Sequence, residues 1–233
     1  MKVASITTVY APTKTCEADA KRTLLALLDA RCTPVIAATD LGRRDWWRWC
    51  RANEVLYVPV TGGHAPRMNR LLAAALGQCR TDLVWTVEQG TAVERTTMAV
   101  AEAVFRDTPA NVAGLALESL DAHGERNFPS SADIPCRTRP WGPDPALLEV
   151  VSAHGRPPYN TFNATLWRRN ALAVVDWTAC PPLGHCDVVA GGQMATAGYT
   201  HLIAPGLTCI HEPHTARNAA RFHGDRHATA VEG

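Results

Sequence analysis

Val3-Ala4-Ser5-Ile6-Thr7-Thr8-Val9-Tyr10, bounded by Ala11-Pro12, is the stretch on which the fold turns. It is β-branched and reads as a buried strand, and directly after it Cys16 to Arg31 places Leu24, Leu27 and Leu28 at helical spacing. Pro34 to Thr39 is a second short apolar strand that ends on Asp40. The same grammar repeats along the chain. Glu54 to Val60 is a strand running into Thr61-Gly62-Gly63, Pro66 to Arg80 is a helix by its Leu71, Leu72, Ala75 and Leu76 stripe, and Asp82 to Val87 is a nearly continuous apolar strand. Thr91 to Arg106 is a further helix with Met98, Val100, Ala101, Val104 and Phe105 on its apolar face, and Asn111 to Leu117 is the next strand. Alternation of this kind predicts an α/β fold, a single Rossmann-like domain with a mostly parallel central sheet and helices on both faces.

Length and composition agree with that reading. At 233 residues, 46% hydrophobic and 19% charged with a formal net charge of +1, the chain suits one globular unit and gives no charge-based argument for nucleic acid, although a nucleic-acid acceptor stays open. No export signal precedes the first strand, and apolar runs such as Leu24 to Leu28 or Ala113 to Leu117 fall far short of the roughly 20 residues a membrane span needs, so a cytoplasmic protein is expected. Eight cysteines are scattered without a CxxC pair and read as reduced thiols. From Asp121 to Pro158 the pattern dissolves into Pro, Gly, Ser and Arg, with only Pro145 to Ala153 helical in appearance, so residues 119–158 read as a loop-rich insertion of functional use. It divides a domain over 1–212 into a first half, 1–118, and a second half, 159–212; residues 213–233 form a His- and Arg-rich tail.

Ligands of open α/β sheets bind at the carboxyl ends of strands. The residues to inspect are therefore Tyr10-Ala11-Pro12, Asp40, Gly62-Gly63-His64, Glu88-Gln89-Gly90 and His211. Trp46, Trp47 and Trp49 offer either a sugar-stacking platform or anchors packed on the sheet, the latter being the default on a short amphipathic helix. Cys209, His211 and His214 lie close enough together to suggest metal ligands, though no second cluster completes a structural zinc site.

The ordered set of these breaks resembles the GT-A glycosyltransferases, and family 2 in particular. In the first half, Ala11-Pro12 and Asp40 look like the positions that touch the nucleotide, Arg67-Met68-Asn69-Arg70 is similar to the family's Arg-Asn pair, and Glu88-Gln89-Gly90 stands where the Asp-x-Asp metal motif belongs. In the second half, Phe162-Asn163-Ala164-Thr165-Leu166-Trp167 leads to paired Arg168-Arg169, then Asp187, then Gly198-Tyr199 eleven residues on, then His211. This half is the more specific match.

The resemblance implies a hexosyltransferase-type enzyme that takes a UDP- or GDP-sugar as donor. Asp187 would be the general base of an inverting reaction, and the alternative reading of Asp187 is a helix cap. Ala11, Pro12, Asp40, Arg67, Asn69, Arg70, Glu88, Gln89 and Arg169 would contact the donor, and Glu88 and His211 would hold Mn2+ or Mg2+. Gly90 departs from the family's metal-binding Asp, which leaves open a metal-independent site in which Arg67, Arg70 or Arg169 neutralises phosphate, or a nucleotide-sugar-binding relative without turnover. A nucleotidyltransferase is the other enzymatic reading, but its phosphate loop follows the first strand, whereas Gly62-Gly63 follows the third. Arg137, Arg139, Trp141 and Tyr159 are candidate acceptor contacts.

Overall fold

A computed structural model of the chain describes residues 2–9, 14–39, 44–60, 68–128, 137–153, 155–181 and 185–211. Ala11, Pro12, Asp40, Gly62, Gly63, His64, Arg67 and His214 lie outside the described residues. The expected opening is present: β1 (Ala4–Val9), α1 (Lys14–Asp29), β2 (Val35–Thr39), α2 (Arg44–Ala52), β3 (Leu56–Pro59), α3 (Met68–Gln78) and β4 (Leu83–Val87) follow in that order. Every residue of β2 and β4 is buried, as strands covered on both faces must be.

The chain continues through β5 (Thr91–Ala92), α4 (Arg95–Arg106), β6 (Val112–Leu120), β7 (Arg126–Phe128), β8 (Arg137–Trp141), β9 (Asp144–Val151), β10 (Ala164–Arg168), α5 (Arg169–Ala173), α6 (Cys186–Thr196) and β11 (Thr200–His211). All strands join one sheet in the order β3-β2-β1-β4-β10-β6-β11-β9-β8, with β5 beside β11 and β7 beside β6. Pairing is parallel across β3-β2-β1-β4 and between β6 and β11; β10 runs antiparallel to both β4 and β6.

Two expectations need correction. Thr91 and Ala92, expected to open a helix, pair instead with His211 and Ile210, and α4 starts only at Arg95. Pro145 to Ala153, expected to be helical, lies mostly in β9, which pairs with β11 on one side and β8 on the other. Leu147, Leu148 and Val151 satisfy helical spacing, but β9 covers an edge of β11 whose backbone groups would otherwise lack sheet partners, and that pairing decides the structure.

Helices cover both faces. On one, Leu24 of α1, Trp46 of α2 and Phe105 of α4 pack with Trp85 and Leu115 of the sheet; on the other, Leu72 of α3, Leu172 of α5 and Met194 of α6 pack with Ile6 and Trp167. Trp46 is fully buried and Trp49 packs beside it, as anchors would, whereas Trp47 is exposed. Buried polar groups are tied across strands: Trp167 donates its indole N–H to Thr86 Oγ1 at 2.7 Å, and Glu118 accepts from the Gly206 N–H where β11 bulges past β6. Among the described residues seven cysteines are buried thiols, with burial pushing Cys32 and Cys209 up to about 12, so they stay protonated.

Because β10 is antiparallel to β4, its end carrying Arg168 meets Leu83 at the amino end of β4. There the Arg168 guanidinium lies 4.8 Å from the Phe105 ring centroid and donates to the carbonyls of Thr108 at 2.7 Å and Val112 at 3.1 Å. It thus closes the turn after α4, where a cation also suits the helix dipole. Arg168→Met is expected to lower the unfolding free energy by about 2 kcal/mol, since it strands several carbonyls. A urea midpoint equal to that of the parent would refute this role.

Candidate functional site

Register places the carboxyl ends of β1, β2, β3 and β4 on one edge of the sheet, the edge that Glu88 terminates. β10 begins at that edge, with Ala164 opposite Val87, and β6 and β11 both end there. Glu88, Thr91, Ser119, Asn163 and His211 therefore converge from four separate stretches of chain. Gly90, which stands where a second carboxylate was expected, has φ +84°, a turn conformation that glycine adopts at no steric cost, and its N–H donates to Thr23 Oγ1.

The contacts within this cluster are specific. The Glu88 N–H donates to the Asn163 carbonyl at 2.8 Å. The Thr91 hydroxyl donates to Asn163 Oδ1, and Asn163 Nδ2 donates to Ser119 Oγ at 3.0 Å. His211 Nδ1 lies 2.9 Å from Thr91 Oγ1, and its Nε2 lies 3.7 Å from Glu88 Oε2. Burial pushes the His211 imidazole down to about 4, so the ring is neutral at physiological pH.

Asp187 opens α6 and is half-buried; its carboxylate accepts from the Val188 N–H at 2.9 Å. The N-cap position belongs to His185, so Asp187 is not the helix cap; it lies in the first turn, and its carboxylate keeps lone pairs beyond the one that the Val188 N–H uses. Burial, reinforced by the negative charge of Glu88, pushes the Asp187 carboxyl up to about 6, against the opposing pull of its backbone N–H bonds. The Glu88 contribution places the two carboxylates within electrostatic reach of each other. A carboxyl raised by burial and by a neighbouring negative charge is a pattern found at functional groups.

α6 is held close by small residues. A Cβ on Gly191 would stand 2.3 Å from Tyr159 Cβ and 2.7 Å from its Cα, so residues 157–159 cross directly over the helix. Tyr159, expected as an acceptor contact, is buried in that crossing.

Several expected donor contacts do not join the cluster. Arg169 is exposed, and its N–H donates to the Asp82 carbonyl at the opposite end of β4; the six residues to Glu88 span about 20 Å of extended chain, which sets it apart from the phosphate position expected of it. Asn69 is buried and donates to the carbonyls of Trp177 and Cys180, pinning the approach to α6 rather than facing the cleft. Arg70 is exposed in the first turn of α3, following the carboxyl end of β3, and Gln89 is almost fully enclosed. Cys209 lies beside Ser119 on the face of β11 that also carries His211, but as a buried, protonated thiol. Among the described residues no group of three His, Cys, Asp or Glu side chains gathers as a ready metal site. Thr91 and Ser119 carried no site signal in the sequence, because their roles arise from strand register alone.

No known family's sequence profile matches the chain, and no curated protein matches it in sequence. Solved structures do. The chain is similar to GalNAc-T7 with UDP, GalNAc and Mn2+, at TM-score 0.62 and 10% identity over 92% of this chain and 44% of that one. It is similar to the mannosyltransferase PcManGT from Pyrobaculum calidifontis in complex with GDP-Man and Mn2+, at TM-score 0.60 and 15% identity over 100% of this chain and 64% of that one. It is also similar to CMP:2-keto-3-deoxy-manno-octonic acid synthetase complexed with CTP, at TM-score 0.56 and 11% identity over the full length of both. The chain spans less than two thirds of the length of the first two. The fold is that of the GT-A glycosyltransferases, α/β with helices on both faces of a large mixed sheet.

Proposed function

We propose that this chain is a glycosyltransferase that moves a sugar from a nucleotide-diphosphate sugar, a UDP- or GDP-sugar, to an acceptor hydroxyl. The observation that carries the reading is the convergence of Glu88 and His211 at the carboxyl edge of the sheet, with the Asp187 carboxyl raised by burial and by the charge of Glu88. Asp187 is the general base: it takes the proton of the acceptor hydroxyl as that oxygen attacks the anomeric carbon, and the nucleoside diphosphate departs with the bonding pair. Attack of that oxygen on the face opposite the departing diphosphate, with the base behind it, inverts the anomeric centre.

Glu88 and His211 fit a divalent cation, Mn2+ or Mg2+, because a carboxylate oxygen and an imidazole nitrogen 3.7 Å apart are donors of the right kind and spacing, with diphosphate oxygens and water to complete the shell. Such an ion, when bound, neutralises charge on the leaving diphosphate. On the acceptor side, the hairpin of β8 and β9 turns between Trp141 and Asp144, toward the end of β11 that carries His211, so Trp141 borders the acceptor; Arg139, paired with Glu149 at 2.8 Å, and Arg137 lie level with the start of β11 instead.

The test is a panel of nucleotide sugars, with release of nucleoside diphosphate followed in Mn2+ and in chelator. Pyrophosphate release from a nucleoside triphosphate and a free sugar would mark a nucleotidyltransferase instead. Glu88→Ala is expected to weaken donor binding at least about tenfold in Mn2+ and to leave it unchanged in chelator. Wild-type transfer that survives chelation undiminished removes the metal assignment.

A further inference from the structure

We propose that Asn163 is a positioning residue that sets both members of the Glu88–His211 pair, through its main-chain carbonyl on one side and through Thr91 on the other. The inference deepens the reading of the site given above and rests on it for its link to turnover.

The argument follows the protons. Asn163 Oδ1 has none, so the hydrogen shared with Thr91 belongs to the Thr91 hydroxyl, which donates it. Thr91 Oγ1 has then spent its only hydrogen and meets His211 Nδ1 at 2.9 Å as an acceptor. Nδ1 must therefore carry the proton of the neutral ring, and Nε2 is the lone-pair nitrogen. That nitrogen faces Glu88 Oε2 at 3.7 Å, which is too long for a hydrogen bond and has no hydrogen to make one. Two acceptors held toward each other are mutually unfavourable alone and complementary to a cation between them.

The amide of Asn163 is engaged at its far end as well. Nδ2 donates to Ser119 Oγ at 3.0 Å, and the Ser119 hydroxyl in turn serves the Cys209 thiol. Strand register explains why these groups meet: Thr91 is the partner of His211 across β5 and β11, and Ser119 is the partner of Cys209 across β6 and β11. Cys209 and His211 are two residues apart and share a face of their strand. The Asn163 carbonyl meanwhile accepts the Glu88 N–H at 2.8 Å, fixing the backbone from which the carboxylate departs. One residue just before β10 thus orients the carboxylate and, at one remove, chooses the imidazole tautomer.

The tautomer is directly measurable by long-range proton–nitrogen correlation NMR on the full, metal-free chain. His211→Gln identifies its signals among the 9 histidines. In the parent, His211 is expected as the Nδ1–H form. Thr91→Val keeps the shape of the side chain and removes the hydroxyl, and it is expected to shift the ring toward the Nε2–H form. Asn163→Asp, close in shape but without the donor to Ser119, gives an independent second perturbation. In both variants Mn2+ affinity, read by electron paramagnetic resonance of the metal alone, is expected to fall about 10- to 100-fold. An Nε2–H ring in the parent overturns the proposal. So does a Thr91→Val variant that keeps the Nδ1–H form, or one that switches tautomer and binds Mn2+ as before. Absence of Mn2+ binding by the parent would instead sink the cation reading of the site, while the nitrogen spectra alone decide the tautomer.

Discussion

Asp187→Asn is expected to reduce transfer by about 10²- to 10⁴-fold while leaving donor affinity nearly unchanged, because it removes the proton acceptor and keeps the shape of the side chain. The same substitution carries a stability signature. The Asp187 carboxyl is held up at about 6 from an ordinary 3.8, so the native state binds its proton more tightly than the unfolded chain does. Its ionisation therefore costs stability as pH rises from about 4 through about 6, and the cost is full above that window. In metal-free protein the Asn variant is thus expected to melt higher than the parent at pH 7 to 8, with the difference closing below about pH 4. Calorimetry across pH reads this directly. A variant that turns over at the parental rate, or that melts lower at pH 8, excludes Asp187 as a desolvated base.

Gly191→Ala is the second large effect. The new methyl would meet the Cβ and Cα of Tyr159 at 2.3 and 2.7 Å and the Pro158 carbonyl at 2.9 Å, and main-chain atoms cannot yield as a side-chain tip can. A loss of about 3 kcal/mol or more is expected, together with transfer activity, because the displaced helix carries Asp187. Gly192→Ala is the control: its methyl meets only the Pro157 ring, at 3.0 Å, and is expected to cost far less. Equal denaturation midpoints for the two variants would show that the crossing over α6 is looser than described.

These residues also mark what could be read from the chain. The β1-α1-β2 opening was legible because apolar runs and leucine spacing are local signals, and they survived packing. Asp187 was legible at the start of a helix only through the resemblance that set its spacing to Gly198-Tyr199 and His211. The hairpin of β8 and β9 was not, since its short half-exposed strands carry no strong period and are strands by virtue of the β11 edge beside them. The paired arginines misled because strand direction is not a local property: β10 runs against β4 and delivers Arg168 and Arg169 to the far edge of the sheet. Asn69 has the chemistry of a ligand contact and spends it on the carbonyls of Trp177 and Cys180.

The placement of β10 also bears on how the protein is made. β4 and β6 flank it in the sheet, yet the bond from Trp167 to Thr86 joins positions 81 apart in sequence. On a ribosome adding about 5–20 residues per second, β4 waits on the order of ten seconds for its neighbour. Through that interval a strand that is apolar but for Thr86 presents an open edge, the geometry that recruits other chains. Nascent chains ending before Ala164 are thus the aggregation-prone species of this protein, and the sheet closes only when the last third of the chain has emerged.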